Sequence, residues 1–266
     1  MKTKILIIAL AVAIGSCKNE TKKESTVANA ESNEVATTTE QDTSRSFEIH
    51  PISHATMVLE WAGNVLYVDP VGGAEAFANQ PEPNLIFITD IHGDHLNVET
   101  LEAIKTPNAK IIVPQAVADK LPESLNSQVV ILNNGEIQEF MGFSVEAIPM
   151  YNLREEALKF HEKGRGNGYV IENKGKRVYV SGDTEDIPEM RSLKNIDVAF
   201  VCMNLPYTMT VESAASAVLD FQPKTVYPYH YRGTDGLSNV GKFKELVNEG
   251  NSTITVNQLD WYKNAN

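Results

Sequence analysis

From position 47 onward, apolar residues fall in short, closely spaced runs of strand length. Val65–Val68, Leu85–Thr89, Ile111–Val113, Val129–Leu132, Phe143–Ile148, Gly168–Ile171, Arg177–Val180, Val198–Cys202 and Thr225–Tyr227 are dominated by Val, Ile, Leu, Phe and Tyr. Runs of this kind, rich in β-branched and aromatic residues, predict strands. Between them, Val98–Lys105, Gln115–Leu121, Val211–Phe221 and Val240–Asn248 fit helices. Pro107, Pro122 and Pro223 follow three of these as stop signals. Many strands with interspersed helices predict an α/β chain with substantial sheet.

The first 46 positions follow a different pattern. A basic start, Met1-Lys2-Thr3-Lys4, leads into an unbroken apolar run, Ile5–Ile14. That run is too short to span a bilayer, which takes about 20 residues. It has the length of a signal-peptide core. Ile14-Gly15-Ser16-Cys17 resembles a bacterial lipobox, in which cleavage leaves the cysteine as a lipidated N-terminus. The expectation is a lipoprotein signal peptide over residues 1–17 and an exported protein of the bacterial cell envelope. Membrane contact would run through the lipid on Cys17. Residues 18–46 are rich in Lys, Glu, Thr, Ser, Asn and Ala and nearly free of large apolar side chains. Such a segment cannot bury enough surface to offset its chain entropy, so it reads as a disordered tether. The folded domain is expected over residues 47–266.

With 266 residues, 42% of them hydrophobic, the chain can form one sizeable domain or two small ones. Its formal net charge of −12 argues against sequence-independent binding to nucleic acid, which relies on a basic surface. Cys17 and Cys202 are its two cysteines. Lipidation of Cys17 precludes an intramolecular disulfide, and Cys202, inside an apolar run, reads as a small buried hydrophobe.

The chemistry concentrates after one strand. Leu85-Ile86-Phe87-Ile88-Thr89 runs straight into Asp90-Ile91-His92-Gly93-Asp94-His95, which holds four candidate metal ligands within six residues. Imidazole and carboxylate suit zinc, iron or manganese. Three other places can complete a site: His161 in a loop before the strand at Tyr169, Asp183 in Ser181-Gly182-Asp183-Thr184, and His230 in Pro228-Tyr229-His230-Tyr231.

Taken together, these segments resemble the metallo-β-lactamase superfamily, whose signature is His-x-His-x-Asp-His followed by distant His, Asp and His ligands. Within it, the chain is similar to the branch of metal-dependent hydrolases related to L-ascorbate-6-phosphate lactonase and N-acylphosphatidylethanolamine phospholipase D. Ser53-His54-Ala55-Thr56, Tyr67-Val68-Asp69-Pro70, Phe160-His161-Glu162-Lys163-Gly164 and Gly168-Tyr169 carry that likeness along with the ligand segments. The resemblance implies a four-layer αββα sandwich with the site at one edge. It also implies two divalent ions, zinc foremost, with manganese or iron as alternatives. Asp90, His92, His161 and Asp183 would hold the first ion; Asp94, His95, Asp183 and His230 would hold the second. Asp90 departs from the pattern, because the signature has histidine there. Asp69 would orient a ligand, and His54, Tyr151 and Arg232 would contact ligands or substrate.

The expected activity is metal-dependent hydrolysis of an ester-like bond, a phosphodiester, lactone or similar, by a hydroxide shared between two ions. Asp94 would both bind metal and orient that hydroxide. The basic residues Arg154, Lys163, Arg165 and Arg232 could hold an anionic small-molecule or lipid substrate. Two alternatives stay open: a membrane-facing phosphodiesterase resembling phospholipase D, and a non-catalytic protein that binds metal or ligand on the same fold.

Overall fold

Buried strands with apolar residues on both faces build two sheets. The computed structural model describes residues 47–263, so the expected signal peptide and tether lie outside the described residues. The first sheet has the order β1 (Phe47–Ser53), β2 (Thr56–Trp61), β3 (Asn64–Val68), β4 (Leu85–Phe87), β5 (Lys110–Val113), β6 (Val129–Ile131). The first three strands are antiparallel and the last four run parallel. In the second sheet, β7 (Ile137–Phe140), β8 (Phe143–Met150), β9 (Gly166–Asn173) and β10 (Lys176–Val180) form the antiparallel part. Then β11 (Val198–Val201) and β12 (Thr225–Pro228) continue parallel. A short pair, β13 (Arg232–Gly233) with β14 (Gly236–Leu237), follows, and β15 (Thr255–Val256) closes the second sheet beside β12.

Alternation along each strand explains the layering. In β4, Leu85 and Phe87 face the large central core together with Met57, Leu59, Leu66 and Val68. The intervening Ile86 faces a second cluster with Val58, Tyr67, Ile111 and Val113. Leu101 of helix α1 (Val98–Ile104) and Val117 of helix α2 (Gln115–Ala118) cover that outer face. Strands buried on both faces read as continuous apolar runs rather than alternating ones. Across the molecule, Ala214, Val218 and Phe221 of α4 (Val211–Phe221) pack on the second sheet. Phe243 and Val247 of α5 (Val240–Gly250) join them, and the short α3 (Pro188–Arg191) adds Met190. The result is helices, sheet, sheet, helices, the expected four-layer α/β sandwich.

Local chemistry sets the helix starts. Asn97, Thr210 and Asn239 each accept a hydrogen bond from the backbone N–H three residues on, capping α1, α4 and α5. Helix α2 ends at Ala118, short of the expected Leu121. Among the described residues, no helix is long and apolar enough to cross a membrane.

Candidate metal centre

The site forms where parallel strands end. Asp69 follows β3, Asp90–His95 follow β4, Asp183 follows β10, Asn204 follows β11 and His230 follows β12. In open α/β sheets, ligands bind outside the carboxyl ends of the strands. His161 arrives from the loop between β8 and β9. Three non-glycine residues here adopt left-handed backbone: His54 (φ 48°), Asp69 (φ 44°) and His230 (φ 44°). Such conformations cost about 1–3 kcal/mol each and persist where surrounding structure enforces them. Gly182 (φ +61°) turns the chain into Asp183, and a Cβ there would lie 3.0 Å from Asn167 O and 3.2 Å from Thr89 Cβ. Only glycine satisfies both limits.

Seven side chains that are scattered in the sequence converge. Asp183 Oδ2 lies 3.4 Å from His95 Nε2 and 3.3 Å from His161 Nε2, while its Oδ1 lies 3.3 Å from His230 Nε2. On one side, ligand atoms of Asp90, His92 and His161 lie within 4.8 Å of one another; on the other, so do those of Asp94, His95 and His230. Asp183 stands between the two groups. His95, His161, Asp183, His230 and Asp90 are buried. The side chains of His92 (41% exposed) and Asp94 (46%) open onto a cavity of about 390 Å³.

The donor set fits divalent cations. His95 Nδ1 donates to Asp69 Oδ2 at 2.8 Å, which leaves the lone pair on Nε2. His161 Nδ1 donates to the Tyr207 carbonyl at 3.1 Å, with the same consequence. Both Nε2 atoms, and Asp183 Oδ1, are buried without a hydrogen-bond partner. Buried polar atoms are rarely left so, and here both Nε2 atoms face the Asp183 carboxylate, as ligands gathered around cations do. The electrostatics agree. Burial resists ionisation of Asp183, yet His230 and His95 outweigh it and hold the carboxyl well below its ordinary range. Burial likewise opposes the charge on His230, but Asp183 pushes its pKa up to about 9. His95 is raised well above its usual value by Asp183 and Asp69, against its own burial. Protons therefore occupy places that positive ions suit.

The remaining expected residues divide. Asp69 is fully buried and accepts from Thr89 N–H (2.7 Å), the Thr89 hydroxyl (2.7 Å) and His95 Nδ1. It therefore braces both a ligand and the ligand loop. His54 lines the cavity, its ring 5.7 Å from that of His230, and burial followed by His230 lowers its pKa. Arg232 also lines the cavity, over the Tyr262 ring at 5.0 Å. Tyr151 is not a lining residue: its hydroxyl donates to Glu189 and accepts from Lys163. Three of the four expected anion-binding cations are engaged elsewhere. Arg154 pairs with buried Glu185 and the Pro206 and Thr208 carbonyls, Lys163 pairs with Glu189, and Arg165 pairs with Asp90. Cys202 is buried and its thiol is pushed up to about 12 by burial, which removes it as a nucleophile.

Asn204 is a site residue that sequence reading missed. Its amide donates to Asp183 Oδ2 at 3.3 Å and sits 3.3 Å from His230 Nε2. Tyr207, Phe160 and Thr234 line the cavity mouth. A lone asparagine carries no spacing signal, although its place just after a parallel strand could have marked it.

A family model described as a β-lactamase superfamily domain matches residues 48–230. The chain belongs to this superfamily. Within it, the UPF0173 metal-dependent hydrolases are its family. A member from Staphylococcus carnosus is 31% identical over 214 residues, 75% of this chain and 92% of that protein. One from Thermococcus onnurineus is 30% identical over 74% of this chain and 91% of its own length. A crystal structure from Parabacteroides distasonis, assigned as a metal-dependent hydrolase, superimposes with a TM-score of 0.71 at 37% identity. It covers 80% of this chain and 92% of that one. CmlA of Streptomyces venezuelae, a diiron β-hydroxylase, shares the superfamily fold at 19% identity and a TM-score of 0.62, over 82% of this chain and 53% of its own.

Proposed function

We propose that the chain is a dinuclear metallohydrolase that cleaves an ester-like bond in an anionic substrate. The observation that carries this is the convergence of His95 Nε2, His161 Nε2 and Asp183 Oδ1, all buried and without hydrogen-bond partners. Asp90, His92, His161 and Asp183 would hold one ion; Asp94, His95, Asp183 and His230 the other. When bound, such a pair supplies Lewis acidity and a water ionised near neutral pH. Each half offers two imidazoles and two carboxylates, a donor set that suits zinc, with manganese or iron as alternatives.

The protein's own residues do the rest. Asp94 is half exposed toward the cavity and its Oδ2 lies 3.3 Å from His230 Nε2. Burial resists its ionisation, but His230 outweighs this and holds the carboxyl below its ordinary range. An ionised Asp94 can accept a hydrogen bond from the attacking water and aim it at the substrate. Asn204 holds Asp183 and His230 in register. Arg232, the cation lining the cavity, can bind an anionic group of the substrate. This favours a phosphodiester or a phosphorylated lactone as substrate. Arg232→Ala should raise KM for a chromogenic phosphodiester about tenfold or more while changing kcat less, because a charge-assisted contact is lost. An unchanged KM counts against an anionic substrate held there.

The basic start, apolar run and Cys17 of the N-terminus support export and a lipid anchor at the cell envelope. Metabolic labelling with a palmitate analogue should mark the protein, and Cys17→Ala should abolish the label. Equal labelling of that variant would refute the anchor.

A further inference from the structure

We infer, on the dinuclear reading above, that Arg165 is a built-in counter-ion of Asp90 that makes the first ion the more weakly held and the last to bind. Asp90 is buried at 0% exposure, and Arg165 grips it at both oxygens: Nε to Oδ1 at 3.1 Å and Nη2 to Oδ2 at 2.9 Å. Nη2 also donates to the Phe160 carbonyl at 2.5 Å. Arg165 is absent from the cavity lining, so this cation serves the ligand rather than the substrate.

The backbone fixes the pairing. Asn167 N–H donates to Thr89 O at 2.9 Å. At Gly166, an added Cβ would come within 2.8 Å of that same oxygen. Thr89 precedes Asp90 and Gly166 follows Arg165, so the loop is stapled flush against the end of β4 with the guanidinium beside the carboxylate. A larger residue at position 166 would lift it away.

The consequence follows from charge. Histidine at position 90 would bring no charge, whereas aspartate brings one negative charge into a dry site. Burying that charge alone is costly, and the bidentate guanidinium offsets it. Together Asp90 and Arg165 form a neutral unit presenting an oxygen in place of an imidazole nitrogen. A carboxylate that shares its charge and lone pairs with a guanidinium is a poorer ligand, and the cation also repels an approaching divalent ion. Among the described residues, the half built from Asp94, His95 and His230 has no such competitor: within hydrogen-bond reach its side-chain partners are Asp183, Asp69, Asn204 and Thr89.

Calorimetric titration of the metal-free full chain with Mn²⁺ tests this. The wild type should show two steps separated by on the order of tenfold or more in Kd, and His161→Ala should delete the weaker one. Arg165→Gln should tighten the weaker step by about tenfold or more and leave the tighter step in place; Arg165→Lys, which keeps the charge, should stay near the wild type. If Arg165→Gln folds poorly, Asp90→His/Arg165→Gln compared with Asp90→His gives the same contrast, the double variant binding the first ion more tightly. A weaker step that ignores Arg165→Gln, weakens in it, or responds equally to Arg165→Lys overturns the assignment alone. A chain that takes up no Mn²⁺ overturns the dinuclear reading and this assignment with it.

Discussion

Asp183→Asn is expected to lose both bound ions and to lower turnover by at least about 10²–10³-fold, the loss that accompanies removal of one electrostatic stabiliser. Asp183 joins the two ligand groups: its two oxygens lie within 3.4 Å of His95, His161 and His230. The variant has a signature independent of activity. Asp183 is the main group raising His230, whose pKa stands at about 9 in the metal-free chain. In Asp183→Asn that value should fall toward the ordinary 6.5, visible in an NMR titration of the imidazole. The effect on stability has a definite sign. A histidine whose pKa is raised on folding contributes stability fully below its unfolded value near 6.5, and the contribution is lost as pH rises through about 9. The metal-free variant should therefore be less stable than the wild type at pH 6, and the gap should shrink as pH rises through 9. A variant that retains both ions and its raised imidazole would contradict the assignment.

Asp69→Ala is expected to cost about 3–5 kcal/mol of folding stability, the range for breaking a buried pair by deleting one partner. Its carboxylate satisfies three buried donors, Thr89 N–H, the Thr89 hydroxyl and His95 Nδ1. Burial pushes its pKa up, and the His95 and Thr89 donors pull it down. Without it, His95 Nδ1 keeps only the Thr89 hydroxyl, at 2.9 Å, and Nε2 is less firmly reserved as a ligand atom. Loss of such a brace lowers metal affinity about 10–100-fold. Denaturant unfolding of the metal-free chain and a metal titration measure the two effects separately. Wild-type affinity in Asp69→Ala would mean that His95 is oriented by something other than this carboxylate.

Six of the seven candidate ligands were legible because each sits at the end of an apolar strand, whereas His161 lies in the loop between β8 and β9. Asp90, His92, Asp94 and His95 follow β4, Asp183 follows β10 and His230 follows β12, and all converge. The central strands were legible because burial on both faces makes them continuous apolar runs. β1, β2 and β7 were not: β1 is only partly buried and includes His50 and Pro51, β2 sets Thr56 and Glu60 among its apolar residues, and β7 is mostly exposed. Pairings over long separations were hidden as well. Arg165 meets Asp90 across 75 positions and Arg154 meets Glu185 across 31, so cations that look available for substrate are structural partners instead. Tyr151 was misjudged for the same reason, its hydroxyl being engaged by Glu189 and Lys163.

An anomalous-scattering experiment on crystals grown with Zn²⁺ or Mn²⁺, collected at the metal's absorption edge, tests the proposed centre most directly. Two peaks should appear beside Asp183, one among Asp90, His92 and His161 and the other among Asp94, His95 and His230. A map without a peak beside Asp183, or with metal bound only elsewhere on the chain, would contradict it.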